Sequence, residues 1–173
     1  DGFGSTSDVA LGIRWAADHG AKAINLSLGR RQDTSTMRNA VNYAWGKGAV
    51  LAAAAGNDGG GAKYYPASYP NVLSVAATDY NDNTASFSNF NSAVDISAPG
   101  VNVYSTFPTY DFTIGTLYGR SKNYDVGSGT SMSTPHVAGL AALMFAQDIT
   151  RDNTAVRSII ERTADDPGAA CWD

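Results

Sequence analysis

The sequence predicts an α/β fold in which helices cover both faces of a mostly parallel sheet, a three-layer α/β/α arrangement. Three observations predict it. Helical and strand-like periodicities alternate early in the chain, the pattern of βαβ units. The run "VLAAAA" is apolar throughout, as a strand buried on both faces must be. With 173 residues, 43% of them apolar and 16% charged, one domain has enough core to bury such a sheet.

The elements follow in order. "DGFGSTS" opens as loop. Val9, Ile13, Ala16 and Ala17 then recur at helical spacing until Gly20 ends the helix. In "KAINLSLG", Ile24, Leu26 and Leu28 alternate with Ala23, Asn25 and Ser27, which is a strand. A second helix over about 35–47 carries Met37, Val41, Ala44 and Trp45, and Gly48 leads into "AVLAAAAGN". Three further strand-like runs follow, "VLSVAATD", "AVDISAPG" and "VNVYSTF", separated by Gly, Pro, Asn and Asp. The last third holds two helices, one over "GTSMSTPHVAGLAALM" and one with Val156, Ile159, Ile160 and Thr163 on one face.

Several function classes drop out. A net charge of −4 with no basic block argues against a nucleic-acid surface. No apolar run approaches the roughly 18 residues that span a bilayer. Cys171 is the only cysteine, which excludes an intrachain disulfide and a cysteine metal cage. "GTSMS" lacks the second glycine of a Gly-x-Ser-x-Gly elbow. "GFGSTS" has Ser7 where a dinucleotide loop needs its third glycine, and "GNDGGGAK" lacks the Gly-Lys-Ser/Thr ending of a phosphate loop.

The chemistry concentrates in two places. Pro135 lacks a backbone donor and reads as part of a helix's first turn, which puts Ser131 at or just before the helix start, among N–H groups with no intrahelical partner. A serine there is ordinarily an N-cap. Its surroundings point further: Gly127 and Gly129 clear space before it, and Ala138, Gly139, Ala141 and Ala142 let the helix sit deep. A developing oxyanion there would meet fixed N–H donors. Asn57 follows Gly56 at the end of the buried strand, where α/β sheets gather ligands. Gly-Asn-Asp-Gly is also ordinary turn chemistry, so Asn57 is either a turn residue or an amide donor to that oxyanion.

Taken in chain order, "INLSLG", "AAAAGN" and "GTSMSTPHVAG" resemble the substrate-binding strand, oxyanion-hole segment and nucleophile motif of the subtilases, the subtilisin-like serine proteases. The resemblance runs from Gly2 to about Thr163, and "YSTFP" and "DNTASFSNF" resemble the thermitase-type members. It implies a serine endopeptidase with Ser131 as nucleophile, and Asn57 with the Ser131 N–H as oxyanion hole supported by Thr130. Ser27, Leu28 and Gly29 would pair with an extended peptide or protein substrate, flanked on its other side by Gly2 to Gly4. Ala54, Ala55 and Gly56 would wall the specificity pocket, leaving room for a bulky apolar residue, with Tyr64 near its base restricting depth. No metal is needed for the chemistry. A weak structural calcium on the backbone around Ala67, Tyr69 and Val72 is implied by the family alone, as is an extracellular location.

The family's Asp-Thr/Ser-Gly and His-Gly-Thr motifs, which supply the other two triad members, do not occur in these 173 residues. The resemblance therefore implies that 1–173 is a partial peptidase domain, the C-terminal two-thirds, lacking the N-terminal strands and inactive alone. Its partner would be the missing N-terminal segment, or a dimer mate covering the exposed sheet edge. The two histidines do not substitute: His136 lies more than one helical turn past Ser131, and His19 sits at a helix end where the dipole favours it. The competing expectation is a non-catalytic peptide-binding module that retains the strand and pocket.

Overall fold

The computed structural model describes residues 4–165. Helix α1 (Thr6–Asp18) starts on a Ser5 cap whose hydroxyl accepts the Asp8 N–H. Strand β1 (Ala23–Leu26) follows, then helix α2 (Ser35–Gly46), capped by the Thr34 hydroxyl on the Met37 N–H. Strands β2 (Val50–Ala54), β3 (Leu73–Thr78) and β4 (Ile96–Pro99) complete a sheet of order β1-β2-β3-β4, parallel throughout. Strand β5 (Val103–Thr106), helix α3 (Thr113–Tyr118) and strand β6 (Tyr124–Gly127) follow, with β5 and β6 paired antiparallel as a separate ribbon. Helices α4 (Thr130–Gln147) and α5 (Asn153–Thr163) end the described chain.

The three layers follow from the period of two in β2. Leu51 and Ala53 face one side and pack with Ile13 and Ala17 of α1 and Val41 and Ala44 of α2. Val50 and Ala52 face the other and pack with Val137, Ala141 and Phe145 of α4 and Val156 and Ile160 of α5. All five β2 residues are buried, as a central parallel strand requires. The expected α/β/α sandwich is the observed one.

Three sequence expectations need correction. The alternation in "KAINLSLG" does not continue to Leu28: β1 ends at Leu26, and Leu28 is 39% exposed beyond it. The ribbon strand β6 and the six-residue α3 escape prediction because "YDVG" and "TIGTLY" are too short for a periodicity to register. Pro135 is the sixth residue of α4 rather than part of its first turn. A proline there removes the N–H that would bond the carbonyl four residues back, that of Ser131. The Ser27 hydroxyl donates to that freed carbonyl instead, at 2.8 Å.

Among the open faces of the described residues are the outer edges of β1 and β4 and one side of α4. β1 is an edge strand with no neighbour on its outer side. α4 carries apolar residues around its whole circumference, and Leu140 and Leu143 on its outer face are exposed.

Candidate active site

The site lies where the C-terminal ends of β1 and β2 meet the N-terminus of α4, the position at which open α/β sheets gather ligands. Gly129 precedes the helix with φ +154, and a Cβ added there would come within 3.4 Å of the Asn57 amide nitrogen. Thr130 and Ser131 are the first two helical residues, so their N–H groups have no partner within the helix. The Thr130 N–H donates to Asn57 Oδ1 at 2.9 Å, and the Met132 N–H donates to the Gly129 carbonyl at 2.9 Å. Among the described residues no acceptor takes the Ser131 N–H.

The orientation of Asn57 is decided by what surrounds it. The buried Thr130 hydroxyl accepts the Gly56 N–H at 3.2 Å and donates to Asn57 Oδ1 at 2.9 Å. Two donors from Thr130 thus converge on one oxygen, since a backbone N–H can only donate. A Cβ on Gly129 would lie 3.4 Å from Asn57 Nδ2 and 3.7 Å from the Ser131 nitrogen, so the two groups border a common space, and no described residue accepts from Nδ2. The Ser131 hydroxyl donates to the Ser27 carbonyl at 3.4 Å, a long bond. Ser27 therefore holds both ends of Ser131, accepting from its hydroxyl and donating to its carbonyl.

Beside these groups opens a cleft of about 250 Å³. Ser131 and Asn57 line one part of it, Leu28 and Gly29 a second, Ala54 and Gly56 a third. The Tyr64 ring is wedged between the last two pairs: a Cβ on Gly29 would lie 3.2 Å from its Cδ1, and one on Gly56 2.8 Å from its Cδ2. Gly56, at φ +110, tolerates no side chain there. The ring stands between the two walls, and Tyr64 is among the residues lining the cleft.

Not every expected residue lines the cleft. Ala55 is buried in the sheet extension, with its N–H on the Val75 carbonyl and its own carbonyl accepting from Asn89 Nδ2. Gly4 is exposed at the start of α1, and Gly2 lies outside the described residues, as does Cys171. His19 stacks on Trp15, its Nδ1 2.8 Å from the Trp15 carbonyl, and His136 Nδ1 is 2.9 Å from the Met132 carbonyl. Neither ring is bonded to Ser131. Among the described residues no cluster of three or more His, Cys, Asp or Glu could hold a metal.

Sequence reasoning missed the residues that brace the loop after β2. Asn89, fully buried, donates from Nδ2 to the Ala55 and Ala62 carbonyls at 3.1 Å each and accepts the Asp58 N–H at 2.8 Å. A buried asparagine must satisfy its amide, and this one does so by fixing the strand end that carries Asn57. Its only signal was an amide between two phenylalanines in "FSNF". Asp58 also lines the cleft, and Arg31 pairs with it at 2.7 Å. Arg31 and the Tyr64 hydroxyl together hold the Asp58 carboxyl below its usual range.

Comparison with known proteins gives the family and the fold. The sequence matches a family model described as "Subtilase family" over residues 1–172. It is 50% identical over 164 residues to thermitase of Thermoactinomyces vulgaris, covering 95% of this chain and 54% of that protein. It is likewise 50% identical over 165 residues to a thermophilic serine proteinase of Bacillus sp. (strain AK1), covering 95% and 38%. Among solved structures, a protease from Pseudoalteromonas arctica PAMC 21717 superposes with a TM-score of 0.87 at 34% identity, covering 98% of this chain and 56% of that one. The chain spans about half the length of the curated relatives it matches.

Proposed function

The chain belongs to the subtilase family, and from that premise we propose that Ser131 is the nucleophile of a serine endopeptidase working through an acyl-enzyme. One observation carries the reading: Thr130 points its N–H and its hydroxyl at Asn57 Oδ1, both at 2.9 Å, leaving Nδ2 to face the space beside the Ser131 N–H. A substrate carbonyl oxygen entering that space meets two donors that need no reorganisation as charge develops on it. The peptide lies along Ser27, Leu28 and Gly29 as an added strand, with Gly4 on its far side. The side chain preceding the scissile bond enters between Leu28–Gly29 and Ala54–Gly56, over the Tyr64 ring.

The general base comes from outside these 173 residues, because neither histidine ring is directed at Ser131: His19 stacks on Trp15 and His136 turns back to the Met132 carbonyl of its own helix. A segment carrying an Asp and a His covers the open edge of β1 and the outer face of α4; a dimer mate over the same edge is the other candidate occupant. The isolated chain then has no useful proteolytic activity. An extracellular location belongs to the same reading by family membership, and no helix among the described residues is long and apolar enough to cross a membrane. So does a calcium ion on main-chain oxygens around Ala67, Tyr69 and Val72. Such ligands are neutral, and the Tyr69 carbonyl is shared with the Val72 N–H at 3.1 Å, so binding there would be weak.

A fluorophosphonate probe tests the reading. The full encoded polypeptide is expected to label at Ser131, and the isolated chain to label far more slowly. Labelling of the isolated chain at an ordinary protease rate would overturn the requirement for an outside base. Absence of labelling in the full polypeptide would overturn the protease itself. The second reading, a peptide-binding module, is favoured by the Ser131 hydroxyl resting on the Ser27 carbonyl rather than on any base. It requires peptide binding without cleavage.

A further inference from the structure

A charge pair with no role in the protease reading lies on the lining of the cleft. Asp58 lines it, one residue past the oxyanion amide, and its Oδ2 takes Arg31 NH2 at 2.7 Å. Asp58 is the acidic side chain among those lining the cleft, and Leu28, Ala54 and the Tyr64 ring supply its apolar part. Arg31 is anchored at one end only: its side chain is 67% exposed, and Asp58 is its one ion-pair partner among the described residues. Arg30, next to it, is turned elsewhere, with its guanidinium on Thr6 Oγ1 and Gln32 Oε1. Tyr64 acts with Arg31 to hold the Asp58 carboxyl below its usual range, and its ring stands between the pocket walls.

We propose that Arg31 is a specificity-determining residue, which neutralises Asp58 and so keeps the pocket selective for uncharged side chains before the scissile bond. The inference rests on the protease reading and deepens it. With Arg31 in place, a substrate lysine entering the cleft meets a carboxylate already paired and must displace an arginine to use it. Without Arg31, the same carboxylate becomes an unpaired negative charge lining the pocket, and a lysine ammonium becomes its natural partner. Exposed pairs of this kind are individually weak, so removing one partner leaves the fold intact while changing what the pocket attracts.

The test is a panel of peptide substrates differing only at the residue before the scissile bond, leucine against lysine, assayed with the full encoded polypeptide at low salt. Arg31→Ala is expected to raise the lysine-to-leucine ratio of kcat/KM by about three- to tenfold. The gain shrinks toward unity in roughly 1 M salt, where exposed charges are screened beyond about 3 Å. Arg31→Lys, which keeps the pair, leaves the ratio near the parent's, and Arg31→Ala combined with Asp58→Asn removes the gain. A ratio unchanged within twofold in Arg31→Ala, with both substrates still cleaved, would overturn the inference. A gain that survives Asp58→Asn would overturn it equally. Loss of cleavage of both substrates by the parent protein would instead sink the protease reading, and this inference with it.

Discussion

Thr130→Val disturbs the site most sharply while leaving Ser131, the proposed nucleophile, in place. The side chain is 0% exposed, and its hydroxyl links the Gly56 N–H at 3.2 Å to Asn57 Oδ1 at 2.9 Å. Valine has nearly the same shape, so no cavity opens. What is lost is the acceptor for a buried N–H, which costs about 1–3 kcal/mol when left without a partner. For a domain of this size, that lowers Tm by roughly 2–4 °C per kcal/mol. Asn57 keeps one of its two anchors, the Thr130 N–H, and its amide gains freedom to turn away from the proposed oxyanion site. Removing such a donor outright costs about 10²–10³ in kcat, a figure that comes from subtilisin, a member of this family, rather than from the present geometry. Loosening it is expected to cost about tenfold in kcat with KM little changed, because the amide acts on charge that develops only in the transition state. Thr130→Ser restores both quantities. Thermal unfolding and steady-state kinetics of the full polypeptide decide the matter. A Thr130→Val protein that melts with the parent and keeps kcat within twofold would refute the reasoning.

Other consequences follow from the same structure. Ser133 is fully buried and its Oγ has no partner among the described residues, so Ser133→Ala is expected to be neutral or to stabilise by about 1 kcal/mol in urea unfolding; a loss of that size would reveal a bond not seen here. Gly100→Ala, by contrast, would put a methyl against that same Oγ and 2.6 Å from Ala77 Cβ, and is expected to destabilise by about 1–3 kcal/mol. Tyr69, whose phenol donates to Asp33 at 2.7 Å, has its pKa pushed up to about 12, first by burial and then by that bond. Its contribution to stability is therefore complete below 10, the usual tyrosine value, and lost as pH rises toward 12; Tyr69→Phe should flatten that alkaline loss, measured as Tm against pH. Leu143 is 70% exposed, so Leu143→Asp should move the isolated chain's stability by no more than about 0.5 kcal/mol. In the full polypeptide the same change should slow Ser131 labelling and lower Tm, and equal small effects in both proteins would contradict a covering segment on α4.

How much of this was legible in the sequence depends on the kind of signal. Long periodic elements were: the all-apolar strand of 50–54, and the helical stripes that hold Ile13, Val41, Val156 and Ile160 in the two cores. The position of Ser131 at a helix start was legible too, although through an argument about Pro135 that the structure corrects. The proline marks the release of the Ser131 carbonyl, not the helix start. That release has a purpose only in three dimensions, where Ser27, 104 residues away in sequence, supplies the replacement donor. Asn89 and the Arg31–Asp58 pair were illegible for the same reason. Each acts across a long sequence separation on one strand end, and nothing in the neighbouring letters encodes the partner.

α4 ties the folding of this protein to its chemistry. A helix with apolar residues all round is stable only when covered on every side. Its inner face, Val137, Ala138, Ala141 and Phe145, packs on the sheet, while Leu140 and Leu143 look outward. Covering a leucine side chain fully is worth about 1.5–3 kcal/mol, so the outer face has a strong demand for a partner. The helix that makes this demand begins at Thr130 and Ser131. The edge strand β1 makes the second demand, for backbone pairing, and the chain leaving its end at Leu26 carries Ser27, which grips Ser131 at both its hydroxyl and its carbonyl. Any segment that satisfies both demands is therefore brought toward Ser131, the proposed nucleophile. On the proposed reading, the free energy of covering the fold becomes the means of positioning a base, and the Ser131 hydroxyl, which rests on the Ser27 carbonyl, would have only to exchange one acceptor for another.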